Sequence, residues 1–222
     1  MIRRSARRTV ALAPALAPVL ILVLTGCASS VEGAASPAAT ASVADLPTDV
    51  EGLGAAVVTD VPSGLPRLPD EELDPPAGAK TLEDVAGYAE DADREAQVLD
   101  DYGYRWGWER FWGREQQLTS VFLDQFEGPT GAASYAADLA RNDTGFYGGN
   151  PDRDPDDLPP GCATLAVEDP DADTGLQGPA AFAWCAHGPF TVSVAVVADS
   201  TDTAHQQVVE LVDAQLARLP RG

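Results

Sequence analysis

The chain has 222 residues, with 14 Lys+Arg against 35 Asp+Glu and a formal net charge of −21. A surface that negative repels phosphate backbones and anionic headgroups. Nucleic acid is therefore excluded as a partner class, and the folded part should stand off an anionic bilayer.

The first 26 residues read as a secretory signal. Arg3, Arg4, Arg7 and Arg8 form a basic start with no acidic residue among them, and residues 10–24 form an apolar run. A spanning helix needs roughly 20 apolar residues. This run is shorter and carries Pro14 and Pro18, so a cleaved signal is expected. The twin arginines of Arg7-Arg8-Thr9-Val10 fit an ordinary basic n-region. Leu24-Thr25-Gly26-Cys27 resembles the bacterial lipobox, in which the cysteine thiol takes a diacylglycerol and is then acylated, typically with palmitate. Each buried methylene contributes about 0.8 kcal/mol, and two chains anchor where one is marginal. The expected location is the outer face of the plasma membrane, held by lipid on Cys27.

Residues 27–80 are rich in Ala, Pro, Gly and Ser without a sustained period, which predicts a flexible stalk. Pro62 to Lys80 is expected to be extended. Residues 81–222 then form a single domain.

That domain opens with a helix at Thr81, where Thr81 and Asp84 make a capping-box-like start. Tyr102, Tyr104, Trp106 and Trp108 alternate with Gly or Arg, which predicts a strand with the aromatics on one face. The phase breaks at Arg110, where Phe111 and Trp112 become neighbours. Gly113-Arg114-Glu115 is read as the turn and 118–126 as the returning strand. An Ala-rich helix runs from Thr130 to Arg141, followed by a long loop over 142–161. Strands are expected over 162–167, 181–186 and 190–198, the last two joined at His187-Gly188-Pro189. A helix capped by Ser200 or Thr201 presents Val208, Leu211, Val212, Leu216 and Leu219 as one stripe. The order predicts an α+β fold, a largely antiparallel sheet of about five strands with helices packed on one side.

Once Cys27 carries lipid, Cys162 and Cys185 remain as an even pair in an oxidising compartment, and a disulfide is the simplest use of them. A zinc site would have only His187 nearby, an incomplete set.

For chemistry, the aromatic strand reads first as core. Trp106, Trp108, Phe111 and Trp112 remain the candidates for ligand contact, with Phe111 and Trp112 the better placed for exposure. Asp152, Asp154 and Asp156, and again Asp169, Asp171 and Asp173, give D-x-D-x-D. Neither run supplies the Gly and Glu of an EF-hand, so solvated acidic loops are expected. Asp100-Asp101 and Asp156-Asp157 are adjacent carboxylates, which do not by themselves form a facing acid/base pair. No nucleophile or metalloprotease motif occurs, so no catalytic residue, metal or cofactor is assigned.

Tyr104-Arg-Trp-Gly-Trp-Glu-Arg-Phe-Trp, the strand end Gln125-Phe126 and the helix start Gly131-Ala-Ala form an arrangement similar to small actinobacterial envelope lipoproteins. It resembles the sensor-like or PsbP-like extracytoplasmic domains of mycobacterial lipoproteins and receptor kinases. The resemblance covers roughly residues 103–139 and implies a non-enzymatic binding or sensing role, with an envelope lipid, glycan or protein as ligand. The alternatives are an envelope hydrolase with a carboxylate-based site, and an assembly partner that docks a basic protein through the acidic loops.

Overall fold

The computed structural model describes residues 46–220, so Cys27 and the expected signal lie outside the described residues. The described residues form a six-stranded antiparallel sheet ordered β1-β2-β3-β6-β5-β4. Its strands are β1 (Gly78–Lys80), β2 (Tyr104–Arg114), β3 (Gln117–Phe126), β4 (Cys162–Val167), β5 (Ala180–His187) and β6 (Phe190–Val197). The helices are α1 (Val50–Ala56), α2 (Leu82–Ala86), α3 (Ala92–Asp101), α4 (Pro129–Tyr147) and α5 (Thr201–Leu216). The class is α+β as expected, with one strand more than the pattern predicts. No described helix is long and apolar enough to cross a membrane.

Local chemistry accounts for most of these boundaries. Thr81 and Asp84 close a full capping box on α2, with Asp84 N–H donating to Thr81 Oγ1 and Thr81 N–H to Asp84 Oδ2. Ser200 caps α5 through Thr203 N–H. The β2–β3 hairpin turns at Glu115-Gln116, with Glu115 at φ 51°, and the β5–β6 hairpin turns at Gly188-Pro189. Cys162 and Cys185 are direct register partners on β4 and β5 and form the disulfide, with Cα atoms 4.0 Å apart.

The folded region starts earlier than the sequence pattern implies. Residues 46–80, read as the end of a stalk, belong to the domain: Leu53 and Val57 are fully buried. Seven residues of helix are too few to show a period, and α1 is instead held by distant side chains. The Arg110 guanidinium donates to the carbonyls of Gly54, Val57 and Val58. Gln215 accepts from Val58 N–H and donates to Ala56 O, and Arg218 donates to Ala55 and Ala56. These donors satisfy carbonyls that a helix C-terminus leaves without partners.

The helices cover both faces of the sheet, not one. Leu53 of α1 and the adjoining Val57 share a core with Val208, Leu211 and Val212 of α5, and with Val121, Leu123, Ala183 and Val192 of the sheet. On the opposite face, α2, α3 and α4 pack on Tyr104, Phe126, Phe182 and Trp184. Strands β5 and β6 are buried along almost their whole length. Ala, Ser and Thr on the second face of β6 look polar or neutral in sequence, yet Thr191 donates its hydroxyl to Ala132 O of α4. A strand covered on both sides loses the clean alternation of a half-exposed one.

Two further differences shape the site. Helix α4 continues to Tyr147, six residues beyond the expected Arg141. The aromatics of β2 do not share a face, because the register with β3 shifts between Tyr104 and Trp106. The strand then runs without interruption through Arg110, where the sequence had placed the break.

Candidate functional site: a groove between the sheet and two helices

The bulge near Arg105 sorts the β2 side chains. Tyr104 points to the α4 side and meets Phe126 edge-on at 5.5 Å. Beyond the bulge Trp106, Trp108 and Trp112 point the other way. Trp106 Nε1 donates to Gln125 Oε1, and Trp108 lies against α1 so closely that a methyl on Gly54 would sit 2.5 Å from its ring. Trp112 is 1% exposed and donates to Thr59 O. Three of the four expected ligand-contacting aromatics therefore serve the core under α1. The segment treated as a stalk is what covers them.

Phe111, the fourth, lies on the opposite face and lines a groove of about 400 Å³. Residues of β2, β3, β5 and β6 form its floor, α4 one wall and the end of α2 with Tyr88 the other. Tyr135, Leu139, Asp143 and Tyr147 reach it from α4 at four-residue steps, which places them on one helix face. Phe111 and Phe122 meet edge-on at 5.5 Å on one side. Tyr147 stacks on Phe182 at 4.6 Å on the other, and Phe182 is parallel to Trp184. Tyr88 and Leu118 at the rim are 50% and 38% exposed, which leaves large apolar groups facing solvent around the opening.

Polar groups converge beneath this apolar lining. Lys80 Nζ lies 3.2 Å from Glu109 Oε2, with both side chains 5% exposed, and also bonds Pro76 O. Tyr88 donates its hydroxyl to Glu109 Oε1 at 2.9 Å, so both oxygens of that carboxylate are engaged. Burial pushes Glu109 above the usual carboxylate range, against the pull of Tyr88 and Lys80. Asp124, on the next strand, is 6% exposed and has no such cation. Burial first, and the Glu109 charge second, push it up to about 7, while Tyr104 acts in the opposite sense. Lys80 thus pairs with Glu109, and Asp124 has no ion-pair partner among the described residues.

Asp143 of α4 is also raised by burial and accepts from Trp184 Nε1 at 2.8 Å. Ser193 is 9% exposed, and its buried hydroxyl lines the groove without a hydrogen-bond partner among the described residues.

The acidic loops have a different role. Asp152 accepts from Asp154 N–H and Asp171 from Asp173 N–H, closing local turns. Asp157 pairs with His205 at 2.7 Å on the surface. Among the described residues, no group of three or more His, Cys, Asp or Glu is arranged to hold a metal ion.

Glu109, Asp124, Asp143 and Ser193 are the site residues that sequence reasoning missed. Asp124 carried a signal, since it interrupts the apolar run Val121-Phe122-Leu123 at a position facing the same way as Phe122 and Phe126. Asp143 carried none while α4 was expected to stop at Arg141.

No curated protein matches the sequence significantly. Among solved structures, the extracellular domain of PknH from Mycobacterium tuberculosis is similar at 13% identity and a TM-score of 0.47. That similarity covers 77% of this chain and 98% of that one, and at this level it leaves function open. Residues 65–221 match a family described as "Domain of unknown function (DUF7373) N-terminal", and that is the family to which this chain belongs.

Proposed function

We propose that this protein is a ligand-binding or sensor-like module, lipid-anchored at the outer face of the plasma membrane, that takes a small molecule in the groove. The observation that carries this reading is the groove itself. Its volume of about 400 Å³ falls in the range of small-molecule sites, and its lining is apolar with a few convergent polar groups. Anchoring through Cys27 rests on the Leu24-Thr25-Gly26-Cys27 sequence and the basic, apolar start. The Cys162–Cys185 disulfide agrees with an oxidising compartment.

Binding fits the groove better than carboxylate catalysis. A hydrolytic pair needs two carboxylates free to reach substrate. Here Glu109 is tied at both oxygens by Lys80 and Tyr88, which leaves it no free oxygen to act as acid or base.

Native mass spectrometry of the protein purified from its own membrane tests this reading. A stoichiometric small-molecule adduct that disappears in Phe122→Ala supports it, and an adduct that survives in that variant places the ligand elsewhere. For the anchor, Cys27→Ala should release the protein from the membrane or leave it unprocessed. Unchanged lipid labelling would overturn lipidation at Cys27.

A further inference from the structure

The charges around the groove are unbalanced. Its lining includes Glu109, Asp124 and Asp143 and no lysine or arginine. Lys80 is spent on Glu109 and Pro76 O, and Arg114 lines a separate depression at the β2–β3 turn. Asp124 and Asp143 make no ion pair with any described residue. A buried carboxylate without a cation carries a desolvation cost that an incoming positive charge would offset.

Three other observations point to the same ligand chemistry. The rings of Phe122, Tyr147, Phe182 and Trp184 line the space, and aromatic rings attract organic cations. Ser193 Oγ is buried, lines the groove and has no hydrogen-bond partner among the described residues, so it offers an acceptor to an N–H donor. The chain's charge of −21 raises the local concentration of cations and lowers that of anions.

We propose, resting on the binding-module reading, that the groove takes a small amphipathic organic cation, an ammonium or amine group on an apolar body. The ammonium sits between Asp143 of α4 and the Asp124 floor. The apolar body lies along Phe111, Phe122 and Leu118. A fatty acid or a phosphate-bearing lipid would bring a further negative charge to a groove lined by no lysine or arginine.

Three probes with one apolar body separate the possibilities: 4-phenylbutylamine, 4-phenylbutanol and 4-phenylbutanoate. Binding is measured by calorimetry on the full processed protein in neutral detergent at pH 8. The amine should bind at least tenfold tighter than the alcohol, with the carboxylate weakest. Asp143→Asn retains an acceptor for Trp184 Nε1, and it should weaken the amine about tenfold while leaving the alcohol unchanged. Equal or tighter binding of the alcohol or carboxylate overturns the cation inference and leaves the groove as a binding site. An amine affinity unchanged in Asp143→Asn overturns the placement of the charge. No binding by any of the three overturns this inference, and the native-mass adduct decides the binding-module reading separately.

Discussion

A methyl group on Gly107 would stand 2.4 Å from Asp124 Oδ1 and 2.5 Å from the Tyr104 hydroxyl. Gly107 and Asp124 are register partners on β2 and β3, so the absent side chain on one strand is what admits the carboxylate on the other. Gly107→Ala should destabilise the domain by about 2 kcal/mol, the usual cost of overpacking a filled interior. The increment should shrink when Asp124 is also Ala. Urea denaturation of the two single variants and the double variant measures the coupling, and full additivity would contradict the contact.

Asp124 also sets a pH dependence. Between 3.8 and about 7 the native state keeps a proton that the unfolded chain has released. Stability therefore falls as pH rises through this window, and the whole loss is present above it. Asp124→Asn cannot ionise, so its stability relative to wild type should rise from pH 4 to pH 8, by on the order of 4 kcal/mol at most. Denaturation midpoints of the pair across that range provide the check. Parallel curves would show that Asp124 titrates normally.

Arg110 is 7% exposed, and three carbonyls of the α1 segment depend on it. Arg110→Met fills similar space and removes every donor, so it should cost about 3 kcal/mol and free the 46–61 segment. Arg218→Met removes contacts to the same helix from an exposed side chain and should cost less than about 1 kcal/mol. Hydrogen exchange at Leu53 and Val57 distinguishes local release of α1 from global destabilisation.

Replacing both Cys162 and Cys185 by Ala should lower stability by about 3 kcal/mol, on the chain-entropy account of a closed loop with a sequence separation of 23. The β4–β5 pairing remains in place through its backbone bonds, so the groove on the other face of the sheet should keep its ligand. Retained binding together with a lower thermal midpoint is the expected result.

Local features were legible because their causes are local. The capping box at Thr81, the hairpin at Gly188-Pro189 and the α5 stripe each depend on residues a few positions apart. The Cys162–Cys185 pair followed from counting thiols once Cys27 was assigned to lipid, and the strand register then made them direct partners. The sequence likewise showed Tyr104, Trp106 and Trp108 on one strand, while Tyr102 ends α3 instead.

What it did not decide is which side each of them faces, since one shifted residue between Tyr104 and Trp106 reverses all that follow. Nor did it mark residues 46–61 as part of the core, because Leu53 and Val57 acquire their burial from β2 and α5, far along the chain. The groove depends on both facts. With Trp106, Trp108 and Trp112 drawn under α1, the opposite face is left to Phe111, Glu109 and Asp124. By itself the sequence determined the acidity and most of the strands and helices after residue 80, which are properties of composition and short spacing. Only the tertiary structure decided where unpaired carboxylates and aromatic rings line one groove, because long-range packing sets burial.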